Sequence, residues 1–177
     1  MRYYNRNATK PSISNGYEIP REPRMQVKKI ENKEDYIDLL LEADPSKDMI
    51  HKYLNDSDVY ALKKGDELIS IAVILHIDRK TLELKNIVTT EKYRNKGYAK
   101  TLLKSLCGNY KQKYDRMLVG TTENNIPFYV KQGFDKYEKT VKNFFIDNYN
   151  EEIKDGDLVC TDLIYYSKDL KKKVKDN

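Results

Sequence analysis

The chain has 177 residues, with 33 Lys and Arg against 28 Asp and Glu for a net charge of +5. That length suits one domain with a real core; no apolar run nears the ~20 residues that span a bilayer, and the N-terminus lacks a signal-peptide h-region. The basicity sits at the ends: residues 1–24 and 168–177 each carry +3, leaving 25–167 at −1, which argues against a nucleic-acid face on the folded body.

Residues 1–24 hold three prolines, one glycine and almost no aliphatic side chains, and read as a poorly ordered extension. Periodic structure begins at Met25, which reads as a natural start. A short strand is expected over 27–30. A helix start follows at Asn32, with Tyr36, Leu39 and Leu40 on one face. Pro45 and Ser46 open a second helix carrying Met49, Ile50, Tyr53 and Leu54 at helical spacing. Strands over 59–62 and 68–75 flank the turn at Gly65 and form a hairpin. Another strand covers 82–90. From Ala99 to Tyr110 apolar residues recur with helical period, at Leu102, Leu103, Leu106 and Cys107. A buried strand is expected over 117–120. Pro127 suits the first turn of a helix and Gly133 its C′ position. A final strand pair over 141–146 and 158–166 is joined through the turn at Asp155 and Gly156. The order predicts an α+β fold with a mixed, mostly antiparallel sheet of about seven strands and helices on both faces. The strands around 82–90 and 117–120 should be parallel neighbours.

Chemistry concentrates where the strand over 82–90 breaks at Arg94–Ala99 and becomes a helix. Gly97 lets the backbone approach a ligand, and the first helical turn offers unpaired N–H groups and a positive dipole end. By local pattern this is either a diphosphate cradle or an ordinary strand–helix connection. It is neither a Walker A loop nor GxGxxG. Cys107 and Cys160 lie in apolar segments without CxxC or a nearby His, so no metal cage is expected and free thiols in the cytoplasm are. His51 and His76 are isolated in sequence.

Arg94-Asn-Lys-Gly-Tyr-Ala99 resembles the Arg/Gln-x-x-Gly-x-Gly/Ala motif of the GNAT superfamily of acyl-CoA-dependent N-acetyltransferases, and Asn86–Thr89 with Tyr93 is similar to the strand that leads into it. Ile126-Pro-Phe-Tyr-Val-Lys-Gln-Gly-Phe134 resembles that family's second motif. The likeness covers about 25–167, between the extension and a basic C-terminal tail. The segment 143–149 with 161–165 is similar to a bacterial subgroup. The resemblance implies a GNAT-like sheet and transfer of an acetyl group from acetyl-CoA to a primary amine, on a small molecule, a peptide N-terminus or a lysine, in a ternary complex. The alternative is a non-catalytic acyl-CoA-binding regulatory module. No metal, nucleic acid or membrane is called for, and the chain would act as a monomer or homodimer.

The resemblance also assigns roles. The backbone of Asn95, Lys96, Gly97, Tyr98, Ala99 and Lys100 would hold the CoA diphosphate, with added charge from Arg94 and Lys96. The backbone of Ile87, Val88 and Thr89 would pair with the pantetheine arm. Tyr129 would be the general acid for the leaving thiolate. Glu83 is the candidate general base, or else one polar residue of a half-exposed strand; Asn86, expected on the opposite face, could instead order a water. Where the family often has an asparagine, Thr122 stands. Asn124 or Asn125 would then touch the pantetheine or cap the next helix. The acidic connection from Asp147 to Glu152 would either rim the acceptor site or form a solvated loop.

Overall fold

A computed structural model describes residues 13–14, 17–18 and 23–171. The proposed extension and tail lie largely outside these residues; within the former, Ile13–Ser14 pairs antiparallel with Tyr17–Glu18. Seven strands build one sheet: β1 (Met25–Ile30), β2 (Ser57–Lys64), β3 (Glu67–His76), β4 (Thr81–Thr89), β5 (Arg116–Thr121), β6 (Lys136–Val141) and β7 (Leu163–Asp169). Their spatial order is β1-β2-β3-β4-β5-β7-β6. All neighbours are antiparallel except β4 and β5, the parallel pair expected around the crossover helix.

Local chemistry explains most boundaries. Gly65, at φ +63°, turns β2 into β3. Helix α1 (Ile37–Leu40) follows a 3-10 turn over Lys33–Tyr36. Helix α2 (Lys47–Leu54) is capped by Ser46, whose Oγ accepts from Met49 N–H at 3.3 Å. At its other end, Lys33 Nζ donates to Leu54 O and Asn55 O, carbonyls that the helix leaves open, and to Ser57 O at the start of β2. Helix α3 (Tyr98–Tyr110) buries Leu102, Leu103, Leu106 and Cys107. Helix α4 (Ile126–Lys131) carries Pro127 in its first turn and is followed by Gly133 at φ +87°.

The sheet is covered on both faces. On one face, α3 and Phe134 pack against Leu62, Ala72, Ile74, Leu82, Leu84, Met117 and Val119. On the other, α1 and α2 bring Ile37, Leu40, Ile50, Tyr53 and Leu54 onto Val59, Ile71, Val73 and Val88. The central strands are thus buried on both faces.

The late chain departs from the sequence expectation. Strand β6 ends at Val141, where a strand over 141–146 was expected, and 144–148 form helix α5 (Phe144–Asn148). Asn143 takes a left-handed conformation (φ +55°), with its N–H on Asp162 Oδ1 at 2.9 Å and Lys142 Nζ on Asp162 Oδ2 at 2.6 Å, so the chain turns there. The run Val-Lys-Asn-Phe-Phe-Ile is too short for its period to separate strand from helix. The turn at Gly156 closes only a small hairpin, Lys154–Asp155 with Leu158–Val159. The sheet strand resumes at Leu163, runs to Asp169, and is followed by buried Leu170, beyond residue 167 where the sequence put the domain's end.

A polar knot ties β1, β2, β3 and α3 together. Asp58 accepts from Lys29 Nζ at 2.6 Å, His76 Nε2 at 3.0 Å and Tyr110 OH at 2.8 Å. A carboxylate only accepts, so His76 Nε2 donates to Asp58, while Nδ1 lies 2.6 Å from Tyr114 OH. Burial opposes the charge on Asp58, but these donors outweigh it and hold the carboxyl at about 2, below its ordinary 3.8. A folded-state value below the unfolded one means stability that is present above about pH 4 and lost as pH falls toward 2. Asp58→Asn should cost about 1.5–3 kcal/mol at neutral pH. In urea titrations its deficit against the parent chain should shrink as pH drops through that window; a deficit unchanged down to pH 2 would contradict this account.

Candidate active site

The site begins with one surplus residue. Between β3 and β4, Ile74 faces Leu84 but Val73 faces Asn86, so Lys85 is a β-bulge. The parallel pairing of β4 with β5 stops at Leu84–Val119, beside the bulge. Beyond it, β4 stays with β3 as far as Thr89, while β5 continues with β7. The two central strands therefore part, and a cleft of about 650 Å³ opens between them.

The bulge also resets which face each side chain takes. Counting by twos, Asn86 was expected opposite Glu83. Instead Asn86 pairs with Val73 on the α1–α2 face, the face that Glu83 also takes, and Leu84 and Ile87 lie on the α3 face. Glu83 and Asn86 both line the cleft and are both buried. The half-exposed strand, the other reading of Glu83, is not what the structure shows: Thr81 to Leu84 are all buried.

Past the bulge, β4 has no strand partner on its β5 side among the described residues. Thr90 N–H bonds to Ile69 O on the β3 side, so by alternation the backbone groups of Ile87 and Thr89 face away from β3. Val88 turns toward β3, its carbonyl accepting from Ser70 Oγ at 2.7 Å. Of the three residues expected to meet pantetheine, Ile87 and Thr89 thus present their backbone to the open edge.

A 3-10 turn over Glu91–Tyr93 leads into the loop before α3. Asn95 (φ +59°) and Gly97 (φ +80°) are both left-handed, which turns consecutive N–H groups to one side. Thr101 N–H is the first to find a helical carbonyl, Gly97 O at 3.0 Å, so the N–H groups of Tyr98, Ala99 and Lys100 have none within α3. A Cβ on Gly97 would meet no protein atom within 4 Å, leaving space before the loop. These features fit a diphosphate. The side chains do less than expected: Arg94 pairs with Glu42 and donates from Nε to Thr89 O at 3.2 Å, while Lys96 donates to Lys92 O at 2.9 Å.

Glu83, Ile87, Asn125 and Tyr129 line the cleft together. Glu83 Oε1 accepts from Lys85 Nζ at 2.8 Å and Tyr165 OH at 3.4 Å. Tyr129 sits in α4 with its ring edge-on to Phe128 and Phe134. Burial pushes its phenol up to about 12, so it stays protonated at neutral pH. Asn125 does not cap α4 through its side chain; its Nδ2 donates to Asp155 Oδ2 at 2.8 Å and Thr122 Oγ1 at 3.1 Å.

Sequence reasoning passed over the opposite wall. Asp44, in the α1–α2 connection, accepts from Tyr53 OH at 3.3 Å, Tyr149 OH at 3.0 Å and its neighbour Ser46 N–H at 3.3 Å. Burial raises the Asp44 carboxyl, only partly offset by these donors, and burial likewise raises the phenols of Tyr53 and Tyr149. Tyr53 OH in turn accepts from Asn86 Nδ2 at 3.3 Å. The chain Asn86–Tyr53–Asp44–Tyr149 thus spans β4, α2, the α1–α2 connection and the segment after α5. Its members are far apart in sequence, and only the acidic stretch 147–152 hinted at it. Among the described residues no His, Cys, Asp and Glu cluster could hold a metal, and no helix is long and apolar enough to cross a membrane.

Comparison with known proteins agrees with this geometry. The sequence model of the acetyltransferase (GNAT) family matches residues 21–134. The N-acetyltransferase YvbK of Bacillus subtilis is 33% identical over 144 residues, covering 79% of this chain and 92% of that protein. A GNAT acetyltransferase of Elizabethkingia anophelis, solved with acetyl-CoA bound, is 35% identical with a TM-score of 0.75, covering 82% of this chain and 97% of that one. A Bacillus subtilis acetyltransferase solved with CoA is 30% identical with a TM-score of 0.71, covering 82% and 99%.

Proposed function

The chain belongs to the GNAT family and is an acetyl-CoA-dependent N-acetyltransferase; from this premise we propose that it acetylates a primary amine by direct attack within the cleft between β4 and β5. The observation that carries the reading is that Glu83 and Tyr129 line one cleft, along which β4 presents a free backbone edge leading to a loop of open amides.

The loop amides from Asn95 to Lys100 receive the diphosphate of acetyl-CoA, where the dipole of α3 adds to them. The free edge at Ile87 and Thr89 pairs with the pantetheine amides as an added strand does. An amine enters as an ammonium and must lose a proton to attack. Glu83 accepts that proton directly or through a water, while Lys85 and Tyr165 hold its carboxylate in place. A backbone N–H of the β4 edge stabilises the charge that develops on the thioester oxygen.

Tyr129 stands for the leaving sulfur. A phenol at about 12 is a weaker acid than an ordinary thiol (about 8.5 for cysteine), so it does not surrender its proton outright to the leaving thiolate. It donates a hydrogen bond as charge grows on sulfur and passes its proton on as the nitrogen of the adduct gives up its own. The balance is one amide bond formed, one thioester broken, one thiol and one proton released.

Two measurements test the reading. Tyr129→Phe should lower kcat about 10²–10⁴-fold and leave acetyl-CoA affinity by calorimetry unchanged; full turnover in the variant would remove Tyr129 from the chemistry. Gly97→Val puts a β-branched residue at φ +80° and a side chain into the space before the loop. It should cost about 1–3 kcal/mol of stability and abolish calorimetric acetyl-CoA binding, whereas unchanged affinity would refute the diphosphate assignment.

A further inference from the structure

The cleft carries more negative charge than the protein neutralises. Of its wall carboxylates, Glu42 is paired with Arg94, Glu83 with Lys85 and Glu152 with Lys154. Asp44, Glu151 and Asp155 also line it, and none has an ion pair among the described residues. Asp44 is held by two phenols and a backbone N–H, and Asp155 by Thr122 Oγ1 and Asn125 Nδ2. Such donors orient a carboxylate without cancelling its charge, so the cleft concentrates cations.

A second observation is independent of charge. Asn86 is 5% exposed, and its amide nitrogen is committed to Leu40 O at 3.0 Å and to Tyr53 OH. That fixes the orientation of the amide and leaves Oδ1 buried without a protein donor, on a residue that lines the cleft. A buried acceptor left unmatched is costly, so it marks a place for a ligand N–H. A third observation shows what these walls already hold. The Lys85 ammonium lies 2.8 Å from Glu83 Oε1 and 5.3 Å from the centre of the Tyr53 ring, bound by a carboxylate and an aromatic face. Between the charged groups the lining is aromatic, from Phe144, Phe145 and Tyr149.

We propose that the acceptor is a linear diamine or polyamine. One amino group is acetylated beside Glu83 and Asn86, and the distal ammonium is held on the Asp44 and Glu151 side, with the methylene chain along the aromatic wall. The reacting nitrogen forms its bond to the acetyl carbon as the carbon–sulfur pair leaves with sulfur; the distal nitrogen stays protonated throughout. A neutral tail forfeits the distal ion pair, and an anionic tail is repelled. This inference rests on the amine-acetylation reading above.

The test uses the full chain, acetyl-CoA and thiol release with putrescine, spermidine, butylamine, γ-aminobutyrate and kanamycin. Putrescine should exceed butylamine in kcat/KM by about tenfold, equivalent to about 1.4 kcal/mol, and γ-aminobutyrate should be the poorest. Glu151→Gln, at an exposed residue, should raise KM for putrescine and leave that for butylamine unchanged. Equal kcat/KM for putrescine and butylamine, or kanamycin as the better substrate, would overturn the linear diamine while leaving amine acetylation standing. Thiol release with none of the five, by protein that still binds acetyl-CoA in calorimetry, would overturn both.

Discussion

The bulge at Lys85 is the constraint on which the site depends. A regular β4 would continue its parallel pairing with β5, closing the sheet and filling the place of the cleft with ladder hydrogen bonds. One extra residue ends that pairing, frees the edge at Ile87 and Thr89, and places Glu83 and Asn86, three apart in sequence, on one face. Such a break is sustained because β4 is gripped elsewhere. Its first half is buried on both faces, and β3 holds it along its whole length. The core therefore supplies the rigidity that lets two central strands part without the sheet unravelling.

The same arrangement explains a division of labour. The loop before α3 is built from backbone: two left-handed residues and the free N–H groups of a first helical turn. Backbone donors are fixed by the fold, which suits the diphosphate role proposed for them. The opposite wall is built from side chains of α2, the α1–α2 connection and the segment after α5, joined through Asp44. Side chains are what a protein can vary to choose a partner. Arg94 links the halves, since it reaches from the loop to Glu42 instead of standing free beside the amides.

What the sequence made legible follows from what was local. The helix of α3, the cap at Ser46, the turns at Gly65 and Gly133, and the parallel crossover are written in spacing or in single residues with strong conformational preferences. The loop at Gly97 and the alignment of Tyr129 with a known motif were legible for the same reason. The face of Asn86 was not, because a bulge leaves no mark in the period of a strand buried on both sides. The region after Val141 misread because the aromatic and β-branched run there favours a strand, while the left-handed Asn143 and its tie to Asp162 stop it. Asn125 looked like a cap by position, but its amide serves Asp155, thirty residues on. The network around Asp44 joins segments up to 105 residues apart, a separation to which no local pattern speaks.

The position of β7 has a consequence for how the protein comes into being. Among the described residues β6 has no sheet neighbour except β7, which enters between β5 and β6. During synthesis, residues 136–141 emerge from the ribosome well before their partner, and β5 waits with one edge open. The strand that completes the sheet also brings Tyr165 to Glu83 and lies just after the segment carrying Tyr149. A polypeptide that stops short of Leu163 leaves both β5 and β6 without the partner they share, a bare sheet edge of the kind that pairs with other chains.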